Sequence, residues 1–181
     1  PTQKIGDLYS DTKTDAESAA KAAALETGIE LTILRPAMIY GPASPSWTVV
    51  PFEGIRAGTP MIIGTGEDLL NPVFVSDVAR AFEIAAFHPA AAGEAFNISG
   101  EPSTWNTFLG HYARMSGTSL RRLPAGIAQV GAGIGERLSK AIGKRPQVMA
   151  QMVGVMTSQA TFSGAKALEV LGFEPEVSLE A

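Results

Sequence analysis

LTILRPAMIYGP, Leu31 to Pro42, decides the fold. Its first four residues form a short apolar run, too brief for a helix and without the alternation of a half-exposed strand. Such a run suits a strand of a parallel sheet covered on both faces. Arg35-Pro36 is predicted to end that strand, and Tyr40-Gly41-Pro42 opens a turn-rich stretch reaching Ser46. A turn at the carboxyl end of a buried parallel strand is where open α/β sheets bind their ligands.

Working outward, residues 7–27 are rich in alanine, place Glu17 four positions before Lys21, and stop at Gly28. They predict one long helix carrying Tyr9 and Lys13, with residues 28–30 as the tight link to the strand. Downstream, the pattern predicts a helix over 48–57, short strands at 61–63 and 72–75, and a hairpin-like turn at 64–68. Ser76 or Asp77 is expected to cap a helix over 78–87, and a strand follows at 95–98. Ser103 or Thr104 would cap a helix to about Ser116. A strand at 120–123 and a helix at 164–171, closed by Gly172, complete the series. This alternation is α/β, with no internal repeat. The 31–34 strand needs neighbours on both edges and helices on both faces, more than the chain visibly supplies, so an upstream part is expected to be missing.

Composition narrows the function. The chain has 181 residues, 45% hydrophobic and 18% charged, with a formal charge of −4. No apolar run approaches the ~20 residues that cross a bilayer, and no basic footprint suits a polyanion. Membrane and nucleic acid are therefore not expected as partners. With no cysteine and two separated histidines, His88 and His111, no metal site is expected. Both histidines read as capping or surface residues. The absence of a signal-peptide pattern makes the cytoplasm the expected location.

Tyr9 and Lys13 stand four apart on one helix, so their side chains share a face. A phenol ordinarily loses its proton near pH 10, and a neighbouring ammonium stabilises the phenolate, which is what an acid/base tyrosine needs. Lysine also brings three donors for sugar hydroxyls.

Five stretches in order resemble one family. YSDTK (Tyr9–Lys13) matches a Tyr-x-x-x-Lys motif, LRPAMIYGP an Arg-Pro-x-x-x-Tyr-Gly-Pro segment, and PVFVSDVARA a Val-x-Asp-Val-Ala element. GEAFNISG matches a Phe-Asn-Ile-x-Gly strand, and FSGAKALEVLGFEPEVSLEA a closing Lys-Ala-x-x-x-Leu-Gly-Phe-x-Pro segment. Together they resemble the C-terminal half of the extended short-chain dehydrogenase/reductases, the NAD-dependent epimerase/dehydratase group.

The resemblance implies the C-terminal part of a Rossmann-type doubly wound parallel sheet plus a small α/β substrate-binding domain. Residues 1–42 would end the dinucleotide-binding domain, and 43–181 would be mainly substrate region, with 73–99 returning to the sheet. It implies NAD or NADP as cofactor and hydride transfer between nicotinamide and a carbonyl or alcohol. Tyr9 would exchange the proton, Lys13 would bind the nicotinamide ribose, and Pro36, Ala37, Met38 and Ile39 would lie against the nicotinamide. Trp47, Val50 and Phe74 are substrate-pocket candidates by position, each also suited to ordinary core packing.

The family's glycine-rich pyrophosphate fingerprint and its catalytic serine or threonine have no counterpart here; GAGIGE (Gly131–Glu136) follows no strand. The chain alone is thus expected to bind dinucleotide poorly and not to catalyse, with the missing N-terminal half as its first partner and a homodimer as another. Nucleotide-sugar members place an arginine shortly before the Val-x-Asp element. Here the residues are Asp68-Leu69-Leu70-Asn71, which disfavours a nucleotide sugar unless Arg56, Arg121 or Arg122 substitutes for the missing guanidinium, and the apolar pocket candidates favour a modest carbonyl or alcohol substrate. Nucleotide-sugar epimerase or dehydratase is the alternative activity. A non-catalytic, cofactor-sensing or protein-binding member is the alternative class, against which the Tyr9/Lys13 pair argues. Residues 126–146, apolar on one side but holding five glycines, read as a lid or a helix over the pocket.

Overall fold

The structure, a computed structural model, describes Lys4, residues 8–128, Val130, 154–157 and 159–180. Helix α1 spans Leu8–Thr27 and closes on Gly28 at φ 72°, where the left-handed backbone suits glycine. Thr14 is its one buried residue. A two-pronged ion pair from Arg35 to Glu17 ties it to the strand that follows.

Strand β1 (Ile33–Pro36) runs parallel to β6 (Ala95–Ile98), in register from Ile33 opposite Ala95 to Pro36 opposite Ile98. It begins and ends two residues later than the apolar run predicted. Ile33 and Ala37 donate their N–H groups to Glu94 and Ile98 at 2.9 Å, so alternate residues face β6. Pro36 falls between them, where its missing N–H breaks no ladder bond. Among the described residues the other edge of β1 has no strand partner.

Strand β2 (Met38–Tyr40) pairs in parallel with β5 (Pro72–Phe74). Between them lie a π-helical turn, Pro45–Val49, and helix α2, Val50–Arg56. The sequence predicted a single helix from residue 48; Pro51, at the start of α2, contributes no N–H to bond backward. Strand β3 (Ile62–Ile63) pairs with β8 (Arg122–Leu123), and β4 (Leu69–Leu70) runs antiparallel to β7 (Ser103–Thr104).

Helix α3 covers Val75–Phe87, starting before the predicted caps, and neither Ser76 nor Asp77 caps it. Asp77 sits in its first turn, and its carboxylate turns instead to the C-terminal segment. It accepts from the backbone N–H of Glu176 at 3.0 Å and of Val177 at 3.1 Å. Helix α4 (Trp105–Ser116) follows the expectation: the Thr104 hydroxyl accepts from Thr107 N–H, and Gly117 closes it in the left-handed region. Helix α5 (Ala165–Leu171) ends likewise on Gly172.

These elements enclose two apolar cores. One gathers Met38, Ile55, Ile62, Leu70, Trp105, Phe108 and Tyr112 between α2 and α4. The other gathers Val73, Val78, Ala81, Phe96, Ile98, Leu171 and Phe173 around α3, β6 and α5. Because strand residues alternate in direction, Met38 and Tyr40 of β2 serve the first core while Ile39 packs against the second. The C-terminal segment bridges them: Phe173 is buried in the second core and Leu179 packs on the first. The expected lid over residues 126–146 lies mostly outside the described residues.

Candidate active site

The helical spacing places Lys13 beside Tyr9, with the lysine Nζ 5.7 Å from the centre of the phenol ring. Tyr9 is 69% exposed, so its hydroxyl is open to a reactant. One further turn along, Glu17 accepts from Arg35 Nε at 2.9 Å, from its NH2 at 2.5 Å and from Lys21 Nζ at 2.7 Å. Hydrogen bonds from Arg35, and then Lys21, hold the Glu17 carboxyl at about 2, and the same contact raises Arg35 above its usual range. Arg35 adjoins Pro36, so this ion pair links the Tyr9–Lys13 ridge to the expected nicotinamide segment.

Within that segment the backbone is largely committed. Pro36 has no N–H, while those of Ala37 and Met38 donate to Ile98 and Asn71 oxygens. Ile39 lies opposite Val73 in the β2–β5 pairing.

The three pocket candidates part company. Trp47 is half-buried in the π-helical turn, with its ring 6.0 Å from that of Trp105 and its carbonyl accepting from the Tyr112 hydroxyl at 2.8 Å. Phe74 meets Tyr40 edge-on at 5.2 Å, and Tyr40 meets Phe108 at 5.6 Å. Val50, at the start of α2, is 57% exposed and joins neither contact. Burial raises the Tyr40 and Tyr112 hydroxyls above the usual phenol range, which marks both as packing residues with protons held.

Grooves open on the described surface. One of about 500 Å³ lies between Thr32, Leu34, Phe82 and Phe87, and one of about 610 Å³ between Arg56, Gly58, Thr118 and Arg121. Neither is lined by Tyr9 or Lys13, which stand on an open ridge. His88 accepts from Ala90 N–H at 3.2 Å, and His111 lies 2.9 Å from an Arg114 nitrogen. Among the described residues no cluster of three His, Cys, Asp or Glu side chains could hold a metal, and no helix is long and apolar enough to cross a membrane.

Sequence reasoning did not find the Glu17–Arg35 pair or the tail-binding role of Asp77. Glu17 did carry a signal, since it continues the Tyr9, Lys13 spacing by one more turn on the same face.

The pattern of the NAD dependent epimerase/dehydratase family matches residues 2–99, just over half of the chain. The chain belongs to that family.

Within and around the epimerase/dehydratase family, an Arabidopsis thaliana protein named 3beta-hydroxysteroid-dehydrogenase/decarboxylase isoform 2 is 29% identical across 98% of this chain and 34% of its own length. Among solved structures, a UDP-glucuronic acid 4-epimerase from Bacillus cereus in complex with NAD superposes with a TM-score of 0.70 at 20% identity, over 96% of this chain and 48% of that one. A UDP-glucose 4-epimerase from Thermotoga maritima, with UDP-glucose, gives 0.63 at 25% identity, over 92% and 47%. These likenesses establish the Rossmann-type α/β fold for the epimerase/dehydratase chain. It spans between 30% and 54% of the length of the curated relatives it matches.

Proposed function

We propose that the intact protein transfers hydride between a nicotinamide cofactor, NAD or NADP, and a carbonyl or alcohol on a small, largely apolar substrate. The observation that carries this reading is the Tyr9–Lys13 pair: a phenol and an ammonium side by side on an open helix face, on a helix anchored beside Pro36–Ile39. The residues present fit a dinucleotide's nicotinamide ribose, because Lys13 brings three donors and no carboxylate ion-pairs with it among the described residues. When bound, the cofactor supplies or accepts the hydride. Tyr9 takes the proton from the substrate hydroxyl in oxidation and returns it to the oxygen in reduction. Tyr9 accepts that proton as the phenolate and donates it as the phenol, and Lys13 stabilises the phenolate form.

The apolar preference is supported at residues 69–71. Where nucleotide-sugar members are expected to carry an arginine, Leu70 is buried in the α2–α4 core. Asn71 is occupied with backbone, donating to Gly100 carbonyl and accepting from Phe162 N–H. The steroid-dehydrogenase names among the relatives agree with that preference. A nucleotide-sugar epimerase is the second reading, favoured by the solved epimerases and by Arg56 and Arg121 facing one groove. We place the protein in the cytoplasm, with its own N-terminal half completing the cofactor site.

The test uses the full-length protein with NAD or NADP: alcohol oxidation is scored by nicotinamide absorbance at 340 nm, and UDP-glucose conversion, in which the hydride returns to the product, by chromatographic separation of the epimer. A panel of cyclic secondary alcohols, including sterols, is set against UDP-glucose. Turnover of an alcohol that is abolished in Tyr9→Phe supports the proposal. Turnover of UDP-glucose alone moves the assignment to the second reading, and dinucleotide binding without turnover of either class points to a sensor.

A further inference from the structure

We infer that Arg35 is a positioning residue for the Tyr9–Lys13 pair: it holds the Glu17 carboxylate away from Lys13, leaving that ammonium free for the phenol and for a cofactor ribose. The inference rests on the roles proposed above for Tyr9 and Lys13.

Positions 9, 13, 17 and 21 follow one another at four-residue steps along one face of α1, so Lys13 is within reach of Tyr9 on one side and Glu17 on the other. A carboxylate so placed competes for the ammonium. Paired with it, Lys13 would turn a donor away from the ribose, and its field at the phenol would be largely cancelled. In the structure the competition goes the other way. Both Glu17 oxygens are occupied, Oε1 by Arg35 NH2 and Lys21 Nζ and Oε2 by Arg35 Nε, while Lys13 leans over Tyr9. A planar guanidinium that meets a carboxylate with two parallel N–H groups outcompetes a single-point ammonium. The Glu17 side chain is 15% exposed and that of Arg35 32%, so the pair is partly shielded from solvent and salt. The carboxyl value of about 2 keeps Glu17 anionic at any working pH, so its charge has to be placed somewhere. Arg35 places it against β1.

A purely structural bridge and this arrangement differ in one respect. If the pair only braces the fold, affinity and melting temperature should fall together and recover together. If Arg35 acts by restraining Glu17, removing the Glu17 charge restores what Arg35→Met takes away.

The measurement is NADH or NADPH affinity of the full-length protein, by nicotinamide fluorescence, with the melting temperature recorded alongside. Arg35→Met is expected to weaken binding by about two- to fivefold, the scale of a partly exposed ion pair gained by the competing carboxylate. Arg35→Met/Glu17→Gln should recover affinity to within about twofold of the unsubstituted protein without recovering the melting temperature. Arg35→Lys, which keeps a cation near Glu17 but loses the two-pronged contact, should fall between the unsubstituted protein and Arg35→Met. A double variant that binds as weakly as Arg35→Met, or a Glu17→Gln variant equally weakened, overturns the inference. If the unsubstituted protein binds neither dinucleotide, the proposed function itself falls, and this reading with it.

Discussion

Replacing Asp77 by alanine removes the acceptor for two backbone N–H groups and leaves Arg80 without one of its carboxylate partners. Asp77 is 2% exposed, so its carboxylate is satisfied by these donors and by Arg80 in place of water. A hydrogen bond to a charged group is worth roughly 1.5–3 kcal/mol, which sets about 3–6 kcal/mol for the two. Relief from burying an anion, and the freedom of residues 176–177 to swing into water, place the expected loss near the lower end, about 3 kcal/mol. For a chain of this length that lowers the melting temperature by about 6–12 °C. Asp77→Asn keeps one carbonyl acceptor and should lose roughly half as much. Thermal melts followed by circular dichroism give the size of the effect, and amide hydrogen exchange gives its place. Glu176 and Val177 should lose protection first, followed by Phe173, whose ring lies under the Arg80 guanidinium. A melting temperature within about 2 °C of the unsubstituted chain, with exchange at 176 and 177 unchanged, would refute the assignment of Asp77 as the tail's anchor.

Acid should act on Glu17 in a defined window. Its carboxyl lies at about 2 in the folded chain against an ordinary 4.5, so its contribution to stability is whole above about 4.5 and is lost as the pH falls toward about 2. A carboxyl-carbon NMR titration should find that low value, and Arg35→Met should return it most of the way to the ordinary range. A methyl group at Gly100 would run into the carbonyl oxygen of Pro72. Gly100→Ala should therefore cost about 1–3 kcal/mol by overpacking, read as a lower urea midpoint with an unchanged slope.

Local signals in the sequence were reliable where local physics decides. Thr104 and Gly117 mark the two ends of α4, Gly172 closes α5, and the apolar Ala95–Ile98 segment forms β6, all as their residue types require. The errors occurred where a distant partner intervenes. Arg35-Pro36 looks like a strand end, yet the strand runs through Pro36 because its β6-facing neighbours are 33 and 37. Asp77 looks like a helix cap, but residues a hundred positions away take its carboxylate. Of the candidate site, the Tyr9–Lys13 spacing was legible because a helix fixes which side chains share a face. The Glu17–Arg35 contact was not, because it depends on how α1 lies against β1, which no periodicity records.

The division of labour within β2 bears on how such a protein can change. Since neighbouring residues of Met38–Tyr40 feed different interiors, inserting or deleting one residue there would exchange the contents of both at once, a change neither interior could absorb. The spacing from Arg35 to Tyr40 is therefore frozen. The turn that follows, Gly41 to Ser44, has no such double duty, so lineages that acquire new substrates are expected to vary in length after Tyr40 and not before it.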